Sequence, residues 1–130
     1  MAKVNSENPR FICGLHATLH VISGKWKPLI LFFLSKGPTR YGELKRSVRG
    51  VSDKMLIQQL KELESDGIVQ RTDYGEIPLR VDYSLTPFGA SLVRAMEPLC
   101  GWGEENEESI AAELRATLHR LIEFFGRPAG

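Results

Sequence analysis

The sequence predicts a mainly α-helical fold that carries one small β-hairpin. The clearest helical signal comes from Leu56, Leu60 and Leu63, which recur at i, i+4 and i+7 and so share one face of a helix. Residues 68–74 and 80–85 are instead rich in strand-forming residues, and the second segment alternates between apolar and polar positions. On both sides of this region the apolar residues return to helical spacing. The predicted order is therefore helices, a hairpin and helices again.

The composition is that of a folded protein outside the membrane. The chain has 130 residues, of which 42% are hydrophobic, which suits one domain with a modest core. No apolar run approaches the roughly 20 residues that a membrane-spanning helix needs. The first residues, MAKVNSENPRF, lack the apolar core of a signal peptide. We therefore expect a soluble, cytoplasmic protein without a membrane partner.

Charge is distributed unevenly, although the net charge is only +1. Residues 24–80 contain 11 Lys and Arg against 7 Asp and Glu, whereas residues 87–130 contain 4 against 7. This pattern suggests that the middle of the chain meets an anion and that the end has another task. Two cysteines, Cys13 and Cys100, are too few for a disulfide scaffold, and the spacings typical of a zinc site are absent. We expect neither a metal nor another cofactor.

Three helices are predicted before the one that carries the leucines. The first covers residues 12–23. The second opens at Lys25 with Pro28 in its first turn, and its body, LILFFLSK, is apolar on nearly all sides, which predicts burial all round. The third is expected over residues 41–48, with Thr39 as its cap.

The helix that carries the leucines is expected over residues 52–66. Ser52 is a favourable N-cap, and Gly67 is a typical residue just past a helix end. Residues 49–51, which include a glycine, join it to the preceding short helix. Two short helices connected in this way are typical of a helix-turn-helix, although ordinary helical hairpins share the spacing.

The face of this helix opposite the leucines carries amide and ammonium groups, among them Lys54, Gln58 and Lys61. Such groups suit hydrogen bonding to base edges in the major groove of DNA. Taken alone, the pattern also fits an ordinary solvated amphipathic helix in any bundle.

The hairpin that follows completes a winged helix-turn-helix arrangement. Its loop is too long for a tight turn, and Arg71 and Arg80 lie near its two ends, where a wing meets the DNA backbone or the minor groove. Thr86 and Pro87 then open another helix, and the acidic run 104–108 opens a last one.

The expected organisation is a disordered N-terminal arm, residues 1–10, followed by a single winged-helix domain, residues 11–130. Within that domain, residues 24–86 form the DNA-binding core, and residues 11–23 and 87–125 form flanking dimerisation helices. The outer helices carry apolar stripes without an obvious partner in so small a core, so a second copy of the chain is the economical partner. The alternative is that these helices fold back onto their own core.

Three stretches of the chain resemble consecutive blocks of the HxlR-type bacterial transcription regulators, which are winged-helix proteins related to the MarR group. The stretches are GKWKPLILFFLSKGPTRYGELKR, VSDKMLIQQLKELESDGIV and RTDYGEIPLRVDYSLTPFG. The resemblance covers residues 13–103, and the segment after Glu104 is less typical of the family. It implies a homodimer that binds operator DNA, in most cases as a repressor.

The candidate DNA contacts divide into two groups. Side chains on the exposed face of the 52–66 helix are candidates for reading bases, whereas cations around it and on the wing would hold phosphates, which set affinity and orientation. The candidates are Lys25, Lys27, Arg40, Tyr41, Ser52, Lys54, Met55, Gln58, Gln59, Arg71 and Arg80. The alternatives are a cap alone for Ser52, partial burial for Gln59, and a solvated surface for Lys25 and Lys27.

Cys13 is the candidate sensor. The resemblance implies this role, because several members of the family respond to oxidants or electrophiles through a Cys just before the first helix. Cys13 lies near a predicted helix start with Arg10 close in sequence, and both features favour a thiolate. The alternative is a small hydrophobe buried in a dimer contact, and Cys100 is interpreted as structural.

Three other functions compete with this interpretation. An enzyme is disfavoured because no paired nucleophile and base, phosphate loop or metal cluster appears, and His16 and His20 form at most a surface pair. A winged helix used only for protein binding would lack the steep salt dependence of DNA binding. A regulator gated by a small molecule would need an apolar pocket, expected between the dimer helices and the winged core. The operator, the regulated genes and the direction of regulation stay open.

Overall fold

The structure, a computed structural model, describes residues 11–125 and the side chains of residues 11–124. The arm expected over residues 1–10 lies outside the described residues. Within them the chain forms six helices and three short strands. In chain order these are α1 (Gly14–Val21), α2 (Trp26–Leu34), β1 (Thr39–Arg40), α3 (Tyr41–Ser47), α4 (Asp53–Ser65), β2 (Val69–Asp73), β3 (Val81–Leu85), α5 (Pro87–Glu105) and α6 (Glu107–Phe125).

The chain divides into two compact units, one ending at Arg94 and the other beginning at Ala95, so that the division falls within α5. The mainly α fold with a small hairpin is confirmed. None of the helices within residues 11–125 combines the length and the apolar character needed to cross a membrane.

The core of the first unit is built from α2, α3, α4 and the hairpin. Its fully buried side chains are Ile30, Leu31, Leu34, Leu44, Val48, Leu56, Leu60, Leu63, Ile68 and Val69. Helix α2 was expected to be buried on most sides, but Leu29 and Phe32 on this helix are 39% and 48% exposed. The expectation was wrong because only one face of α2 packs against α4 and the sheet, and apolar composition alone does not show which face that is.

Helices α3 and α4 form the predicted helix-turn-helix. Ser52 is the N-cap of α4, with its side chain accepting from the backbone N–H of Met55, and Gly67 ends the helix region with φ of +74°. Thr39 does not cap α3. Its hydroxyl donates to the carbonyl of Gly37 at 3.0 Å, and Arg40 occupies the N-cap position without a side-chain bond.

The sheet has the order β1-β3-β2, and both pairings are antiparallel. Strands β2 and β3 form the predicted hairpin, in which Val69 pairs with Leu85 and Asp73 with Val81. The third strand, β1, was not predicted. A two-residue strand is too short to show any alternation, so its pairing with β3 has no signal in the local sequence.

Helix α5 begins as predicted, with the hydroxyl of Thr86 accepting from the N–H of Gly89 at 3.0 Å. The helix continues through Gly101 and Gly103 and ends at Glu105. The last helix was expected to begin in the acidic run at Glu104, but it begins at Glu107.

Gly89 is the buried residue of α5, and it lies directly against the backbone that leads into β2. A Cβ atom at this position would lie 2.0 Å from the carbonyl oxygen of Ile68. No side chain fits into that space, so the approach of α5 to the hairpin requires glycine.

Gly89→Ala should lower the free energy of unfolding by about 2–3 kcal/mol, because the methyl group forces the helix and the hairpin apart. The matched control is Gly101→Ala in the same helix, where a Cβ would meet nothing within 4 Å. That change should raise the free energy of unfolding by about 0.5–1 kcal/mol through helix propensity. Urea denaturation of both variants measures the difference, and equal effects would contradict the close approach.

Candidate DNA-binding surface

Helix α4 is fixed to the core along one face. Leu56, Leu60 and Leu63 are no more than 1% exposed. Each residue turns an α-helix by 100°, so the residues on the far side must face the solvent, and Lys54 and Gln58 are indeed exposed. The structure thereby places an amide and an ammonium group together on the outer side of the helix.

The N-terminus of α4 is held by two side-chain hydrogen bonds. Ser52 Oγ accepts from the N–H of Met55 at 3.1 Å, so Ser52 acts as a cap while remaining exposed. The hydroxyl of Tyr41 donates to Asp53 Oδ1 at 2.6 Å. Partial burial and the neighbouring Asp53 carboxylate raise the pKa of Tyr41 to about 12, so the phenol stays protonated at neutral pH. The hydrogen bond from Tyr41 to Asp53 thus links α3 to the start of α4.

Met55 and Gln59 form a pair beside the outer face of α4 rather than on it. Both are half-buried, and Gln59 Nε2 donates to Met55 Sδ at 3.4 Å. This arrangement agrees with the partial burial considered for Gln59. The most exposed candidates on α4 and its cap are accordingly Ser52, Lys54 and Gln58.

Lys27 is placed differently from what a phosphate contact requires. It is only 7% exposed, and its Nζ lies 3.0 Å from Glu62 Oε2. This ion pair joins α2 to the C-terminal half of α4, and little of Lys27 is accessible to a phosphate. Lys25 remains exposed, with its Nζ 4.6 Å from the ring centroid of the half-buried Trp26.

The two wing arginines differ in their surroundings. Arg71 is exposed on β2, and its Nη2 lies 3.6 Å from Asp73 Oδ2. Arg80 stacks on the ring of Tyr74 at 4.5 Å, and its Nη2 lies 3.4 Å from Asp82 Oδ2. The Asp82 carboxylate raises the pKa of Arg80 further above its ordinary value. The two side chains are nearly equally exposed, at 40% for Arg71 and 38% for Arg80, but Arg80 also stacks on Tyr74 at the loop end of the hairpin.

Arg40 reaches the same side of the molecule through the unpredicted strand. Strand β1 pairs Arg40 with Asp82 of β3, so the backbone of Arg40 belongs to the sheet while its side chain is exposed. Sequence reasoning selected Arg40 as a cation at a helix start, and it missed that the sheet fixes its position relative to the wing.

Cys13 and Cys100 are both free and exposed. Cys13 is the N-cap residue of α1, where its carbonyl accepts from the N–H of Ala17 at 3.1 Å. Cys100 Sγ lies 3.6 Å from Glu104 Oε1, and that carboxylate is the main cause of the raised pKa of the Cys100 thiol. Between residues 11 and 125, no group of three or more His, Cys, Asp or Glu side chains is arranged to hold a metal ion.

The order of the elements and the outward face of α4 describe a winged helix-turn-helix, and comparison with known proteins assigns its family. Residues 21–111 match the family model of the HxlR-like helix-turn-helix proteins. The chain belongs to the HxlR-like helix-turn-helix family.

Proteins similar to this HxlR-like chain are transcriptional regulators rather than enzymes. The HTH-type transcriptional regulator YkvN of Bacillus subtilis, itself uncharacterised, is 47% identical over 104 residues, covering 80% of this chain and 88% of YkvN. A crystal structure assigned to the MarR family, from Porphyromonas gingivalis W83, shares 38% identity and a TM-score of 0.69, covering 81% of this chain and 99% of that one. The redox regulator HypR in its reduced form shares 38% identity and a TM-score of 0.73, covering 77% of this chain and 99% of HypR. The HxlR-like chain is thus a transcriptional regulator of the helix-turn-helix type.

The ion pair between the buried Lys27 and the exposed Glu62 can be tested by two substitutions. Glu62→Gln should lower the free energy of unfolding by about 1–2 kcal/mol, because it leaves the buried Lys27 ammonium without its carboxylate. Adding Lys27→Met should recover most of the loss, since a linear apolar side chain fills the same space without a charge to desolvate. Urea denaturation of the single and double variants measures both effects.

The single variant Lys27→Met is the control for the role of this lysine. It should leave the salt dependence of DNA binding unchanged, because a buried ammonium neutralises no phosphate. A salt slope reduced by about one would instead return Lys27 to the set of phosphate contacts.

Proposed function

We propose that the protein is a homodimeric repressor that reads operator DNA with the outer face of α4. The observation that supports this most directly is the contrast between the two sides of that helix. Three leucines are buried on one side, while the other side presents exposed amide and ammonium groups to the solvent. A helix held in this way can enter a major groove and hydrogen-bond to base edges.

Base reading falls to the exposed residues near the N-terminus of α4. Gln58 suits paired hydrogen bonds to adenine, and Lys54 suits guanine or a phosphate. Ser52 is exposed beside them but already caps the helix. Met55 lies half-buried at the edge of the same face, where an apolar tip suits a thymine methyl group.

Phosphate contacts fall to the exposed cations around the helix. Lys25 precedes α2, Arg40 lies on β1 and Arg71 on β2, and all three are exposed. Arg80 retains partial exposure, with 38% of its side chain accessible beside Asp82. Because such contacts attract every DNA sequence alike, these residues set affinity and orientation, and the α4 face sets sequence preference.

Dimer formation is supported by apolar side chains that the single chain leaves exposed. On α1, Leu15 and Leu19 are 60% and 51% exposed. On α6, Leu114, Leu118 and Leu121 are 65%, 59% and 49% exposed and recur at helical spacing. Stripes of this kind on the flanking helices favour burial against a second copy, which would also present two reading helices to two half-sites.

A redox response through Cys13 is supported by its position and by one of the similar proteins. Its thiol is exposed at the N-terminal end of α1. HypR, which is named a redox regulator, has been solved in reduced and oxidised forms, and both structures resemble this chain. We propose that modification of Cys13 changes the affinity for operator DNA.

The proposed division of labour can be tested with Gln58→Ala and Arg71→Ala. Gln58→Ala should weaken binding to a duplex selected from a random pool by about 1–3 kcal/mol and leave binding to a scrambled duplex nearly unchanged. Arg71→Ala should weaken binding to both duplexes alike and reduce the salt slope by about one. Band shifts at several salt concentrations measure these effects, and sedimentation of the complex should give two chains per duplex.

Arg94→Ala is the matched control, because it removes the same charge from an exposed position on α5, outside the helix-turn-helix and the hairpin. It should change neither affinity nor salt slope. Equal effects of Gln58→Ala and Arg71→Ala on every duplex would contradict the division, and a chain that shifts neither duplex at low salt would contradict DNA binding.

The redox role predicts different outcomes for the two cysteines. Hydrogen peroxide should weaken binding of the wild-type protein to the selected duplex, and Cys13→Ser should abolish this response. Cys100→Ser should retain it, because the Glu104 carboxylate raises the pKa of the Cys100 thiol and keeps it in the less reactive form. Band shifts with and without peroxide provide the measurement. A Cys13→Ser protein that still responds would refute the proposal.

A further inference from the structure

The loop of the wing exposes a run of apolar side chains. Strand β2 ends at Asp73 and β3 begins at Val81, and the segment between them contains Ile77, Pro78 and Leu79 in succession. Ile77 is fully exposed, Leu79 is 71% exposed, and Pro78 is exposed between them. Three consecutive apolar residues in contact with water are uncommon on a folded surface unless they bind something.

The base of this loop is closed by contacts between its two ends. The backbone N–H of Tyr74 donates to the carbonyl of Arg80 at 3.2 Å, which extends the hairpin ladder by one pair. The Arg80 guanidinium stacks on the Tyr74 ring at 4.5 Å, and the Tyr74 hydroxyl donates to Asp82 Oδ2 at 3.3 Å. Residues 75–79 are left as a short loop with Ile77 at its apex.

The charges beside the loop differ from those within it. Between residues 75 and 79 the charged side chain is Glu76, so this segment offers no cation to a phosphate. Arg71 lies on β2, and Arg80 lies at the other end of the loop, where cations suit the DNA backbone or the minor groove. The two arginines would therefore bring the apex to DNA, although the apex itself has nothing to gain from a phosphate.

An apolar apex of this kind fits between bases. Ile, Leu and Pro are among the side chains that DNA-bending proteins insert into the minor groove, where they partly unstack a base step and kink the duplex by about 20–90°. The faces of the separated bases are apolar, so the contact also removes Ile77 from water. The contacts at the base of the loop support such an insertion, because they oppose displacement of the apex by the stacked bases.

We propose that Ile77 and Pro78 form an apolar wedge that enters the minor groove of the operator, partly unstacks one base step and bends the duplex. The inference rests on the proposed DNA-binding function and adds to it a change in the shape of the DNA. It also adds a sequence preference at a site that α4 does not read, because TA and CA steps are kinked and unstacked more easily than others.

Fluorescence energy transfer between the ends of a doubly labelled duplex measures the bend. With the full wild-type chain on a duplex selected from a random pool, the labels should approach each other by the amount expected for a bend of about 20° or more at each wing. Ile77→Ser should remove most of this bend, because a small polar side chain cannot cover the faces of two separated bases.

Ile77→Leu is the matched control, because it keeps an apolar side chain of the same size at the apex. It should retain the bend. Since Ile77 is fully exposed, neither substitution should change the free energy of unfolding, and urea denaturation of both variants checks this.

The adenine analogue 2-aminopurine, placed at successive positions across the wing contact, locates the unstacked step. Its fluorescence rises when stacking is lost, so the wild type should raise it at one step, and Ile77→Ser should abolish that rise. Replacing a TA or CA step at this position by the stiffer AA step should weaken wild-type binding by about tenfold and leave binding of Ile77→Ser nearly unchanged.

The possible failures of the two proposals are distinguishable. A duplex that is bound without a bend would overturn the wedge while DNA binding stands. A bend that Ile77→Ser leaves intact would also overturn the wedge, and the apolar apex would then suit a protein partner. A chain that shifts no duplex at low salt would overturn the proposed DNA-binding function, and the wedge with it.

Discussion

The burial of three leucines on one side of α4 determines the orientation on which the surface of this protein depends. Each buried leucine contributes about 1.5–3 kcal/mol, so rotating the helix by half a turn would lose that energy and also bury charged and amide groups. The Ser52 cap fixes the N-terminus of the helix, and the Lys27–Glu62 ion pair holds its C-terminal half against α2. The outward polar face is therefore a consequence of core packing.

The features that the sequence predicted correctly are those that depend on neighbouring residues. The spacing of Leu56, Leu60 and Leu63 specifies a helix and its buried face without knowledge of the partner. Ser52 and Thr86 cap their helices through hydrogen bonds that span three residues, so the residue type and its position suffice to predict them. The hairpin is predicted because the apolar residues change from helical spacing to the composition and alternation of strands in adjacent segments.

The features that the sequence did not predict depend on residues far apart in the chain. Lys27 resembles a solvated cation until Glu62, on another helix, is seen 3.0 Å from it. Strand β1 exists only through its pairing with β3. A cleft of about 730 Å³ beside α4 is lined by residues of β1, α3, α4, β2 and β3, and no local pattern connects Arg40 with Lys61. For the candidate site, the sequence therefore indicates which residue types are present, but it does not indicate how exposed each side chain is or which side chains it contacts.

The contact at Gly89 has a mechanical consequence. With a would-be Cβ only 2.0 Å from the Ile68 carbonyl oxygen, the first turn of α5 has no clearance from the base of β2. The hydroxyl of Thr86 also donates to the carbonyl of Gly67 at 2.6 Å, which adds a second attachment at the same point. The first turn of α5 and the start of β2 are consequently held together, so that a rotation of this first turn would displace the foot of the hairpin.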